Sequence, residues 1–364
     1  MGALSVARFS SGVRGNAMLD RRSFLIANLV AVVPGPLPRV EEAKSPGLAT
    51  RGVVLAPEDL SPGDWPERAA RAGLTTIGIH HQNSPRAVIS WIESDTGRRF
   101  LEACGRLELE VEYELHAMRE LLPRALFEKN PEFFRLDQNG DRNPDANCCA
   151  HSERALGVIA ENAVSIARVL RPTTGRYFYW GDDGQPWCCC RNCKGLSPSE
   201  QALRIENRIV RALRAVDPRA RLAHLAYTNT LKPPKAVKPD RGIFLEYAPI
   251  RRRYDLPYAK QTARDEPDPL SALDANLEVF GAETAQVLEY WLDVSRFSGW
   301  KRPAVKLPWR PDVLEADLAT YRSRGIRHIT SFAVFVDADY LRRYGEPGFI
   351  AEYGAVLARS ASRR

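Results

Sequence analysis

The chain has 364 residues, of which 44% are hydrophobic and 27% charged, and carries a net charge of +7 with a pI near 9.1. This is enough apolar material for one large single-core domain, since an eight-stranded α/β barrel needs roughly 250 residues. The basic residues are scattered, and no Lys/Arg run is interleaved with aromatics, which argues against a nucleic-acid-binding surface.

Arg21 and Arg22 stand one residue before Phe24–Leu25 and a short apolar stretch, an order that resembles a twin-arginine export signal. The apolar run is too short to span a bilayer, so no stable membrane insertion is expected. Met18 is a plausible alternative start. The expected division is residues 1–48 as signal and linker, read by the twin-arginine export machinery, and 49–364 as a single exported domain, periplasmic or extracellular.

From residue 51 short apolar runs alternate with longer helical patterns, the sign of a parallel sheet covered by helices. Strands are predicted at 52–57, 75–80, 109–116, 176–183, 221–227, 242–247, 285–293 and 326–335. Helices are predicted at 64–74, with Asp64 as N-cap and Gly73 near the end, then at 86–104, 153–170, 197–216, 267–281, 311–324 and 338–358. Ser197 and Glu200 have capping-box spacing. A long connection follows strand three, and the proline-rich run after strand five lacks a full helix. The expected fold is α/β, a (β/α)8 TIM barrel. A doubly wound sheet would show a glycine-rich turn after its first strand, where this chain has "APEDLSPGDW".

Barrel enzymes draw their catalytic groups from the C-terminal ends of the strands. Those ends carry His80 and His81, Glu114 and His116, Trp180 with Asp182 and Asp183, His224 and Tyr227, Glu246 and Tyr247, and Glu289 with Tyr290, Trp291 and Asp293. Carboxylates and aromatic rings predominate, as carbohydrate hydrolysis requires: two carboxyl groups flank the bond, and ring faces pack on sugar C–H faces. Asp182, Asp183, Glu246 and Glu289 are the catalytic candidates. His80, His116, Trp180, Trp187, Tyr227, Tyr247, Tyr290, Trp291 and Arg253 are the candidate substrate contacts, Arg253 closing an Arg251–Arg252–Arg253 run suited to an acidic sugar or a loop carboxylate. Adjacent residues on a regular strand face opposite ways, so Asp182 and Asp183 converge only if the strand ends there, with Gly184 supplying the turn.

The runs "YWGDDGQPWCCCRNCKGLSPSEQAL", "HLAYTNTLKPPKAVKP", "FLEYAPIRRRY" and "VLEYWLDVSRFSGWK", with "NPEFFRLDQNGDRNPDANCCAHSERAL" before strand four, resemble a bacterial domain family of unknown function found in predicted glycoside hydrolases. Some of its members resemble endo-β-N-acetylglucosaminidases, and others lie near hexosaminidase-like and α-glucuronidase-like barrels. The resemblance implies a barrel, an oligosaccharide or glycan substrate and no cofactor for catalysis. It also implies substrate assistance on an N-acetylhexosamine, with Asp182 orienting the acetamido group and Asp183 protonating the leaving oxygen. Related hexosaminidases carry Asp-Glu where this chain has Asp-Asp, which leaves Glu246 or Glu289 as alternative donors and a non-catalytic carbohydrate-binding barrel as an alternative function.

Six of the seven cysteines lie between residues 148 and 193. Cys188, Cys190 and Cys193 form C-x-C-x-x-C, and Cys149 or Cys148 completes a four-thiolate set suited to structural zinc. Disulfides in an oxidising compartment are the competing reading, and a metal-dependent hydrolase built on the cluster is a third functional class. "DQNGDRNPD" lacks the glycine and the terminal glutamate of a calcium loop and is expected to form a polar hairpin.

Overall fold

The computed structural model describes residues 47–362 apart from 82–83 and 263–268, so the expected export signal lies outside the described residues. Eight strands, β1 (Thr50–Leu55), β2 (Thr76–His81), β3 (Glu110–His116), β4 (Arg176–Trp180), β5 (Arg221–Ala226), β6 (Ile243–Tyr247), β7 (Gln286–Glu289) and β8 (His328–Phe332), each pair in parallel with their sequence neighbours. β1 also pairs with β8, which closes the (β/α)8 barrel. The strands read as near-continuous apolar runs because both faces are covered; every residue of β4, β6 and β7 is buried.

The helices follow from their caps and apolar stripes. Pro198–Val216 begins with a capping box in which Ser197 and Glu200 bond each other's backbone N–H, as the spacing predicts. It buries Leu203, Ile209, Val210 and Leu213, each contributing about 1.5–3 kcal/mol. Several predicted elements differ in extent, strands four and eight among them, which end at Trp180 and Phe332. The helix at 86–104 divides into Pro85–Ile92 and Asp95–Arg106, because the Ser94 hydroxyl accepts the Gly97 N–H and starts a second helix. The helix at 338–358 divides into Ala338–Tyr344 and Gly348–Ser362 at Gly345, whose φ of +77° suits glycine, ahead of Pro347. Strand seven ends at Glu289, and Asp293 caps the turn Val294–Phe297. Asp64 occupies the predicted N-cap position, but its carboxylate pairs with Arg68 at 2.7 Å instead of capping.

The connection after β5 holds only a 3-10 turn, Thr228–Thr230. The long β3 loop folds as short turns and a hairpin (Arg135–Leu136 against Arg142–Asn143) closed by Asp137, whose Oδ1 accepts the N–H groups of Asn139 and Asp141.

A polar network fills the barrel interior. Arg176 donates to Gln286 at 2.9 Å and lies 3.4 Å from Glu112, while the Gln286 amide reaches Glu114, Glu246 and Thr330 at 3.4–3.5 Å. Glu112, Glu114 and Glu246 are fully buried around this one guanidinium. Burial is the main cause that raises all three carboxyl pKa values, Glu246 to about 8.

Candidate active site

A cavity of about 770 Å³ opens at the C-terminal ends of the strands. Its floor is a mosaic of rings. Trp180 packs against His80 and His116, with centroids 5.5 and 5.1 Å away, and Phe332 bridges His80 and Tyr290 at 5.1 and 5.3 Å. The indole N–H of Trp180 donates to Glu246 Oε2 at 2.7 Å, which orients this floor plate from below.

His80 Nδ1 lies 2.8 Å from the Glu114 carbonyl, and His116 Nδ1 lies 2.8 Å from the Gly181 carbonyl. A carbonyl oxygen only accepts, so each Nδ1 carries a proton. In the neutral tautomer this arrangement leaves Nε2 as a hydrogen-bond acceptor. Burial, then the neighbouring His116, lowers His80 to about 3, so it is neutral at ordinary pH.

The two adjacent acids after β4 diverge. Asp182 Oδ2 accepts from Arg124 Nη2 at 2.9 Å and from the Asn147 backbone N–H at 2.6 Å, and the Asp182 N–H returns to Asn147 Oδ1 at 3.0 Å. This clamp draws Asp182 toward the β3 loop and outside the mouth lining, whereas Asp183, beside Gly184 with φ +61°, lines the mouth. Gly181 is held equally closely: a Cβ there would sit 3.1 Å from Asn147 Oδ1 and 3.5 Å from the Trp187 ring.

A second mouth carboxylate is Asp293. Its Oδ1 accepts the Ser295 hydroxyl at 2.6 Å and the N–H groups of Ser295 and Arg296 at 3.1 and 3.3 Å. Burial, only partly offset by these donors, raises its pKa to about 6. Asp183 and Asp293 act on the same two phenols. Burial first raises Tyr227, followed by the charge and hydrogen bond of Asp183, with Asp293 a further contributor. Tyr290 is raised well above its ordinary value by burial, then by Tyr227, Tyr254, Asp293 and Asp183. Arg251 and Arg296 line the same cavity, the latter lying over the Tyr254 ring at 4.0 Å.

Of the predicted site residues, the fold therefore brings Asp183, His80, His116, Trp180, Tyr227 and Tyr290 to one cavity. The others lie elsewhere. Glu246 is in the barrel core beneath Trp180. Glu289 points into the helix layer, where it accepts from Arg252 at 2.8 Å and from the Tyr321 hydroxyl; burial raises it to about 7. In the same layer Tyr247 shares a hydroxyl bond with Tyr258, and Trp291 donates to Asp317. Trp187 packs behind Gly181, and exposed Arg253 pairs with Asp255. Sequence reasoning did not pick out Glu58, Arg296 and Phe332 as lining groups, and it named Asp293 only as a strand-end residue. Asp293 has a local signal, since aspartate is a preferred N-cap residue; the other three have none. His224 and His328 take interior roles, bonding Glu206 at 2.6 Å and Thr50 at 2.7 Å.

The sulfurs of Cys149, Cys188, Cys190 and Cys193 all lie within 4.8 Å of one another, and none of these residues lines the mouth. Among the described residues no helix is long and apolar enough to cross a membrane.

Fold and site together define a (β/α)8 barrel whose ring-floored mouth holds carboxylates, imidazoles and guanidinium groups. The chain belongs to the family described as a domain of unknown function, DUF4838, whose model matches residues 41–296. That match shows the family and not a finer kinship with endo-β-N-acetylglucosaminidases. No curated protein matches the chain by sequence. Among solved structures it is similar to a β-galactosidase from the psychrophilic Marinomonas ef1, with 11% identity, a TM-score of 0.51, and coverage of 84% of this chain and 58% of that one. It is also similar to the β-galactosidase of Rahnella sp. R3, with 12% identity, a TM-score of 0.50, and coverage of 88% and 57%. The α-amylase of Lactobacillus plantarum matches with 9% identity, a TM-score of 0.50, and coverage of 85% and 80%. The chain thus spans less than three-fifths of the galactosidases' own length, and the likeness is one of fold.

Proposed function

We propose that this barrel is a glycoside hydrolase acting on an oligosaccharide or glycan by carboxylate acid–base chemistry, with Asp183 and Asp293 as the working pair. The observation that carries this reading is that both acids line one ring-floored cavity together with Tyr227 and Tyr290. Asp293 is the proton donor: with Oδ1 occupied by three donors, Oδ2 is free to hold the proton that burial favours. Asp183, at the open rim, supplies the carboxylate that attacks the anomeric carbon or activates water. His80 and His116 accept sugar hydroxyl protons at Nε2, and the ring floor packs against C–H faces. Substrate assistance by an acetamido group would need Asp182 in the mouth, and that carboxylate is engaged by Arg124 and Asn147. The Arg21–Arg22 pair supports export of the folded enzyme.

The test is a panel of aryl glycosides and glycans with good and poor leaving groups. Asp183→Asn should lose about 10²–10⁴-fold on every substrate, and Asp293→Asn should lose most where the leaving group needs a proton. Saccharide binding without turnover by the wild-type chain would make the barrel a binding protein instead. Wild-type rates in both variants would remove the pair.

A further inference from the structure

Six cysteines are available between residues 148 and 193, and the fold selects four of them. Cys148 and Cys189, the immediate chain neighbours of three of the four, stand outside the cluster; Cys148 is fully buried, and the Cys189 thiol faces the Trp187 carbonyl. The chosen sulfurs converge as a group and not as two pairs. Cys149 lies 3.7 Å from Cys190 and 3.9 Å from Cys193, and all four fall within 4.8 Å of one another. Tetrahedral zinc with Zn–S bonds of about 2.3 Å places its sulfurs about 3.8 Å apart.

The surroundings suit thiolates. The Leu136 N–H points at Cys188 Sγ at 3.3 Å, the Cys190 N–H also serves Cys188, and the His151 N–H and the Arg142 side chain serve Cys149. The Cys190 carbonyl accepts the N–H groups of Cys193 and Lys194, each at 2.9 Å, which forms the tight turn that directs both sulfurs to one point. Cys149, Cys188 and Cys193 are 4%, 1% and 0% exposed and Cys190 is half-buried, so three of the four ligands are shielded from solvent.

We propose that Cys149, Cys188, Cys190 and Cys193 bind one zinc ion in a closed structural site. Binding converts four thiols to thiolates and releases four protons, giving a tetrathiolate of net charge −2 that the N–H donors and Arg142 offset. All four positions are filled by protein, so the ion does no chemistry on substrate. Its effect is mechanical. It fastens the β3 loop to the segment after β4, two residues from Asn147, whose backbone and side chain clamp Asp182. The ion therefore holds the turn that presents Asp183. That positioning role rests on the function proposed above, whereas the metal site does not.

Elemental analysis of the full chain purified without chelator should find one zinc per molecule. Mercurial titration of its thiols should release one equivalent to a zinc indicator, and cobalt substitution should give the spectrum of a tetrahedral tetrathiolate. Cys193→Ser should lose the ion, while Cys189→Ser should keep it. Two disulfides among these cysteines by mass spectrometry, absence of metal, iron in place of zinc, or equal zinc in both variants would overturn the assignment. Should Cys193→Ser fail to fold, the wild-type titration still decides. Glycosidase assays are read separately: a zinc-replete chain without turnover sinks the function and leaves the metal site standing.

Discussion

Replacing Glu246 by glutamine tests the charged interior of the barrel. The wild-type carboxyl is fully buried, and its pKa rises from 4.5 to about 8, chiefly through loss of hydration. A carboxyl raised on folding binds its proton more tightly in the native state, so its contribution to stability is complete below pH 4.5 and is lost as pH rises through about 8. With about 1.4 kcal/mol per pH unit, the span from 4.5 to 8 sets an upper bound of roughly 5 kcal/mol. Glutamine keeps the shape and the acceptor for the Trp180 N–H but cannot ionise. Glu246→Gln should therefore match the wild type within about 1 kcal/mol at pH 5 and exceed it by several kcal/mol at pH 9. Chemical denaturation at the two pH values measures both differences. Equal differences at pH 5 and pH 9 would refute the reasoning, because the carboxyl would then not gain a proton on folding.

Three further outcomes are expected. The kcat/KM of the wild type should fall as pH rises through about 6, where Asp293 loses its proton, and Asp293→Asn should lack that limb in a pH–rate profile. Arg124→Ala removes the charged partner of Asp182 and should cost about 1–3 kcal/mol in a denaturant melt, with a fall in activity as the turn bearing Asp183 loosens. Gly354→Ala would place a Cβ 1.9 Å from the Ala72 carbonyl oxygen, where the C-terminal helix meets the end of the first helix. It should cost about 3 kcal/mol in the same assay, the upper end for overpacking.

The barrel was legible in the sequence because parallel strands covered on both faces read as apolar runs, and these runs alternate with amphipathic helices. What the sequence hid was parity. Tyr290 and Trp291 both stand after β7, and one faces the mouth while the other faces the helix layer; Glu246 and Tyr247 divide between core and helix layer in the same way. Pattern alone gives no register where both neighbours are aromatic or acidic, and both are buried. Asp182 and Asp183 divide for a related reason, since the partner that takes Asp182 lies in a loop 35 residues earlier. Reading strand seven through to residue 293 disguised Asp293 as a strand residue, when it is the N-cap of a short helical turn. The cysteine spacing, in contrast, singled out Cys188, Cys190 and Cys193, because short-range turns fix where closely spaced sulfurs point, and it left the fourth place open between Cys148 and Cys149, which the fold gives to Cys149.

The seam where the barrel closes has a temporal cost. Thr50 pairs with His328 across it, and their side chains meet after 278 intervening steps of chain. At a synthesis rate of roughly 5–20 residues per second, β1 waits roughly 15–55 s for its second neighbour. During that interval an apolar parallel edge stays open to other nascent chains. The yield of native protein therefore depends on shielding the first strand until the last one leaves the ribosome.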